Sequence, residues 1–141
     1  MKLKKKVLTT ICGVSSALLL TMFSQSAFAA NYQSSVILPT LHYKNFTQIA
    51  NVPIVGSPPA TGKINLVTWS WSVDGWPKNL SVYLCQGNTN SCLNISRETS
   101  GGTTAFNNRS PAQQFLFALR VGDGNIMPIE GKTGEITVMW Q

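Results

Sequence analysis

Hydrophobic and polar residues alternate along most of this chain, and the alternation predicts strands. The clearest segment is Leu80 to Arg97, LSVYLCQGNTNSCLNISR. Two β-prone runs flank Gln86 to Ser91, a segment of turn formers, so the stretch predicts a hairpin. Placing Cys85 opposite Cys92 sets Leu84 against Leu93, Val82 against Ile95 and Tyr83 against Asn94. Side chains alternate with period two, so the aliphatic pairs then share one face. The cysteines, Tyr83, Ser81 and Ser96 share the other. One disulfide between Cys85 and Cys92 therefore sorts the whole segment. Two free thiols or a metal pair are the alternatives; a lone C-x6-C with the single histidine distant at His42 makes a poor zinc site.

Lys63 to Val73, KINLVTWSWSV, predicts the strongest strand. Trp69, Trp71 and Val73 alternate with serines, while Ile64 and Leu66 have the opposite parity. A bulge near Leu66-Val67, or burial on both faces, would reconcile the two. Gln114 to Val121 alternates Phe115, Phe117, Leu119 and Val121, which favours a strand over a helix. Glu135 to Gln141 places Ile136, Val138 and Trp140 on one face. Weaker extended segments are Ser34 to Leu38, Thr40 to Lys44, Val52 to Val55, Thr103 to Phe106 and Ile126 to Ile129. Ala30 to Gln33 is expected to fray, and Thr99 to Gly102 to form a loop. Turns are expected at Asp74 to Asn79, Gly122 to Asn125 and Gly131 to Gly134. Asn45 to Lys63, with its prolines, reads as an irregular connection. About six to eight short strands separated by turns predict an all-β fold, a single antiparallel β-sandwich, with a small β-barrel as the alternative.

The amino terminus changes the charge picture. Lys2, Lys4, Lys5 and Lys6, an apolar run from Val7 to Phe23, and Ala27-Phe28-Ala29 have the form of a secretory signal peptide cleaved before Ala30. A retained membrane anchor is the alternative. Residues 1–29 are thus expected to be removed and residues 30–141 to form one domain. The whole chain has net charge +6, with 11 basic and 5 acidic residues; four of the lysines belong to the signal, leaving about +2. The basic pI is a targeting feature and gives no reason to expect nucleic-acid binding. No later segment is apolar and long enough to insert in a membrane after cleavage. Losing Cys12 with the signal leaves an even pair, suited to an oxidising compartment, the periplasm or the cell exterior for a bacterial-type signal.

Candidate chemistry is sparse. His42 has no nucleophile setting near it, and Asp74, Glu98, Asp123, Glu130 and Glu135 show no metal-ligand spacing. The expectation is no enzyme, no cofactor and no metal. Gly122-Asp123-Gly124 and Gly131 to Gly134 lack phosphate-loop spacing and read as hairpin turns. Trp69 and Trp71 are expected in the core. Trp76 lies in a Gly-Trp-Pro turn, where exposure would make it a contact anchor. The proline-rich connection around Pro58 and Pro59 is the second candidate contact.

Gly62 to Trp69 (GKINLVTW), the paired cysteines of Leu80 to Cys92, Ser100 to Phe106 (SGGTTAF), Phe115-Leu116-Phe117, Pro128 and the closing strand occur in an order that resembles the flagellar FlhE family. The resemblance spans residues 33–141. It implies a periplasmic, non-enzymatic accessory to flagellar assembly and swarming, chaperone-like or guarding the export apparatus, with export-apparatus or rod proteins as partners. The alternative is a secreted carbohydrate-binding or fimbrial, adhesin-like sandwich. A sugar platform would require at least two exposed tryptophans on one face.

Overall fold

The computed structural model describes residues 30–141; the expected signal peptide over residues 1–29 lies outside the described residues. Eight strands follow one another: β1 (Ala30–Ile37), β2 (Gln48–Asn51), β3 (Ile64–Val73), β4 (Leu80–Gln86), β5 (Cys92–Asn94), β6 (Ser100–Thr103), β7 (Phe115–Val121) and β8 (Gly131–Trp140). They form two antiparallel sheets of four, ordered β1-β8-β3-β6 and β2-β7-β4-β5. The sheets stay open and face each other, so the fold is a sandwich and not the barrel alternative.

The core lies between the inner faces. Phe115, Phe117, Leu119 and Val121 of β7 are fully buried, as their alternation predicts. They meet Val67, Trp69 and Trp71 of β3, Ile136 and Val138 of β8, and Val82 and Leu84 of β4 in one cluster. Phe106 packs edge-on against Phe115, with ring centroids 5.2 Å apart. The parity change in β3 arises from a register shift between Ile64 and Leu66, leaving Asn65 as the extra residue. The bulge thus falls just before the expected Leu66-Val67 position, and Ile64 and Val67 both reach the core.

The hairpin has the expected register: Tyr83 opposes Asn94, Leu84 opposes Leu93 and Cys85 opposes Cys92. Gln86 N–H donates to Ser91 and Ile95 N–H donates to Val82. The cysteines therefore occupy a non-hydrogen-bonded pair, where the strands approach most closely. They are joined in a disulfide with Cα atoms 4.0 Å apart. Cys85 is buried on the outer face of its sheet with Leu116, Ala118 and Tyr83, a second small apolar cluster.

Several weaker expectations are corrected. Ala30 to Gln33 does not fray; it pairs with β8 from Ala30 opposite Trp140, and Tyr32 is buried. Thr40 to Lys44 contributes only a bridge from Leu41 to Ile129, which is also all that remains of the expected Ile126 to Ile129 strand. The short strand expected at Val52 to Val55 lies earlier, at β2, and the one at Thr103 to Phe106 lies earlier, at β6, where a loop was expected. Gly131 to Gly134 opens β8 and is not a turn. Its glycines serve close packing: a Cβ on Gly131 would stand 2.3 Å from the Leu38 carbonyl oxygen.

Candidate functional site

Two ends of the sandwich carry the connections. The β1–β2, β3–β4, β5–β6 and β7–β8 connections emerge at one end, which holds Trp76. The β2–β3, β4–β5 and β6–β7 connections emerge at the other, where β1 begins and β8 finishes. Pro58 and Pro59 lie there, Pro58 half-buried and Pro59 exposed. The Pro59 carbonyl accepts from Gly62 N–H, and Lys63 N–H donates to Gln141. The two candidate contacts therefore lie at opposite ends and do not combine into one site.

At the tryptophan end the β3–β4 turn is held on both sides. Gly75 and Asn79 take φ values of 65° and 54°, which glycine and asparagine tolerate. Asp74 N–H donates to the Glu130 carbonyl at 2.8 Å. Lys78 N–H donates to Asn125 Oδ1 at 2.8 Å, and Asn125 Nδ2 donates back to the Lys78 carbonyl at 2.6 Å. Asn79 Nδ2 donates to the Asp123 carbonyl at 2.9 Å. These bonds stitch the β3–β4 turn to the β7–β8 connection. An exposed ion pair adds little: Lys132 Nζ lies 3.7 Å from Asp74. The turn presents Trp76 with 88% of its surface exposed, and the stitched neighbour presents Ile126 at 94%.

Trp76 and Pro77 line two depressions. The larger, about 510 Å³, runs under the β5–β6 connection between Trp71, Val73 and Leu80 on one side and Ser96, Arg97 and Thr99 on the other. The smaller, about 240 Å³, lies between Trp76 and the Ile126–Ile129 segment. The far wall of the larger groove is fixed from inside the core. Trp69 Nε1 donates to the Glu98 carbonyl at 3.0 Å; Trp71 Nε1 donates to the same carbonyl at 2.9 Å and to that of Ile95 at 3.2 Å. Trp71 N–H donates to the Thr99 carbonyl at 2.8 Å. The buried indoles thus satisfy their polar edges by anchoring the loop beside Trp76.

The larger groove thus combines an apolar lining with one cation, Arg97, the charged residue among those that line it. It holds no acid–base constellation: His42 is exposed in the β1–β2 connection, beside Tyr43. Among the described residues no three His, Cys, Asp or Glu side chains are grouped to hold a metal. Among the described residues no helix is long and apolar enough to cross a membrane. Trp69, Trp71 and Trp140 are buried, so the two-tryptophan sugar platform is not formed. Ile126 and the groove escaped sequence reasoning. A bulky apolar residue among turn formers is the signal that would have found Ile126, the same one that marked Trp76.

The fold and this end together define a small two-sheet β-sandwich that presents an exposed tryptophan on stitched loops. The chain belongs to the flagellar protein FlhE family, whose pattern matches residues 32–141. A crystal structure of FlhE superimposes with a TM-score of 0.69 at 21% identity, covering 80% of this chain and 97% of that one. The serine protease of Aeromonas sobria matches with a TM-score of 0.62 at 10% identity, over 80% of this chain and 27% of that chain. A chain of the crystallised complex between that protease and its chaperone ORF2 matches with a TM-score of 0.61 at 10% identity, again over 80% and 27%. At such identities these likenesses concern the fold alone. No curated protein matches the chain.

Proposed function

We propose that this protein is a periplasmic accessory factor of flagellar assembly that acts by binding other proteins and not by catalysis. Membership of a flagellar family supports the flagellar setting. The Cys85–Cys92 disulfide supports an oxidising compartment. The observation that carries the contact mechanism is Trp76, almost fully exposed on a turn hydrogen-bonded to its neighbour and flanked by two grooves. A large aromatic side chain is stabilised when it leaves water, and a pre-organised loop loses little entropy when it docks. Such residues dominate protein interfaces. Export-apparatus or rod proteins are the partners this reading names, with a guarding or chaperone-like role during swarming.

The test is crosslinking in the native host, followed by mass spectrometry of what co-purifies with the protein tagged at its carboxyl terminus, the end remote from Trp76. The expected result is recovery of export-gate or rod components. Trp76→Ala is expected to lower that recovery at least about tenfold, since an aromatic anchor commonly contributes about 2 kcal/mol or more. Its melting temperature should stay unchanged. Recovery of pilus subunits or cell-wall glycan without any flagellar component would overturn the proposal in favour of an adhesin or sugar-binding role.

A further inference from the structure

The free edge of β1 stands apart from the other sheet edges. The edges of the two sheets are β1 and β6 in one, β2 and β5 in the other. β2 and β6 have four residues each and β5 has three, so shortness protects them. β1 has eight residues and pairs with β8 along its whole length without a register shift. At about 3.4 Å per residue it offers a straight edge of roughly 27 Å.

The backbone groups on that edge can be assigned. Leu38 N–H donates to Lys132, and antiparallel pairs alternate between bonded and non-bonded, so the even-numbered residues of β1 bond to β8. The N–H and C=O groups of Asn31, Gln33, Ser35 and Ile37 therefore point outward. Among the described residues none of them has a backbone partner, and all four residues are exposed. An edge of this kind is usually blunted by a lysine, a proline or a bulge. β1, ANYQSSVI, has none of these.

Exposed apolar side chains are frequent in the segment that begins at the end of β1. Among the described residues, six exposed large hydrophobics fall between positions 37 and 55: Ile37, Tyr43, Phe46, Ile49, Ile54 and Val55. This stretch leaves β1, forms the adjacent edge strand β2 and passes β1 again, where the Pro53 carbonyl accepts from Ser34 Oγ at 2.5 Å. From Ala30 to Gly62 the only residue with a formal charge is Lys44. Apolar patches on a neutral background mark protein contacts.

We infer that β1 pairs with β1 of a second copy, antiparallel about a two-fold axis, joining two four-stranded sheets into one. The self-pairing is favoured by symmetry. With Asn31 opposite the second copy's Ile37 and Gln33 opposite its Ser35, every outward group of both strands gains a partner. The same operation places the Ile37 end of one copy's β1 beside the Ala30 end of the other's. It also sends the two Lys44 side chains to opposite ends of the paired strands. At roughly 27 Å they lie well beyond the screening length of about 8–10 Å, so repulsion between these two lysines does not oppose the pairing. This interface is separate from Trp76, and either can fail without the other.

Sedimentation equilibrium of the protein purified as its host processes it tests the pairing. The expected mass is twice that of one chain at tens of micromolar. Ser35→Pro removes an outward donor and no bond to β8, so it should weaken association at least tenfold with the fold intact. Ile37→Lys should do the same independently, and decides the matter if the proline variant does not fold. Amide exchange gives a second readout: Asn31, Gln33, Ser35 and Ile37 should be protected at high concentration and lose protection on dilution. A single-chain mass up to millimolar concentration would overturn the inference. So would a dimer that both variants leave unchanged, or a monomer whose β1 edge takes up a strand of a different protein.

Discussion

Gly134 lies under the ring of Phe117 and beside Leu38, with no room for a side chain. A Cβ there would stand 2.7 Å from Phe117 and 2.9 Å from Leu38. Gly134→Ala is therefore expected to cost about 1–3 kcal/mol through overpacking, read as a lower urea midpoint. Tyr32 is set by burial of another kind. It packs against Trp140, ring centroids 6.0 Å apart, and its desolvation pushes the phenol up to about 12. The unfolded phenol ionises near pH 10. Between those values the unfolded chain holds fewer protons than the native one, so stability falls as pH rises. The contribution is complete below about pH 10. Tyr32→Phe should flatten this alkaline limb while leaving the neutral midpoint nearly unchanged. Urea titrations of both proteins from pH 7 to 11.5 would check it, and identical limbs would show that Tyr32 is not the group responsible.

Among the elements, the β4–β5 hairpin depends most on a covalent tie. Its loop is short, with the cysteines seven residues apart in sequence. The chain-entropy account gives about 2–3 kcal/mol for such a closure. Cys92→Ser removes the bond at its exposed end and should lower the melting temperature accordingly. An unchanged melting temperature without reductant would show that the bond does not stabilise the fold. The hairpin was legible because one pairing sorts every side chain onto a face. β7 was legible because strict alternation of four large apolar residues admits little else. β2 and β6 were not. β2, QIAN, buries only Ala50 fully, and β6, SGGT, has no large apolar residue. β6 exists because it fits against β3: a Cβ on Gly101 would stand 2.7 Å from the Trp69 ring. Glycines that read as a loop permit that approach. The start of β8 misled for the same reason.

Over the whole molecule, the decisive information is which loops share an end, and no local pattern holds it. Gly-Trp-Pro marked Trp76 as a turn residue, and its exposure follows from the turn. The separation of Trp76 from Pro58 and Pro59 follows from the strand order, as does the meeting of Trp76 with Ile126. The strand order also divides labour. One end presents side chains on stitched loops, while the opposite end joins Ala30 to Trp140 and Lys63 to Gln141.

Of the strand neighbours in the two sheets, only β4 and β5 are consecutive in the chain. β8 lies between β1 and β3, so the larger of the two jobs of assembly waits for residues 131–140. A polypeptide delivered amino end first can close its small hairpin early, by local contacts that form quickly. Its first strand stays without a partner until the final segment arrives. The β1-β8-β3-β6 sheet is therefore complete only when the last strand, residues 131–140, is in place between β1 and β3.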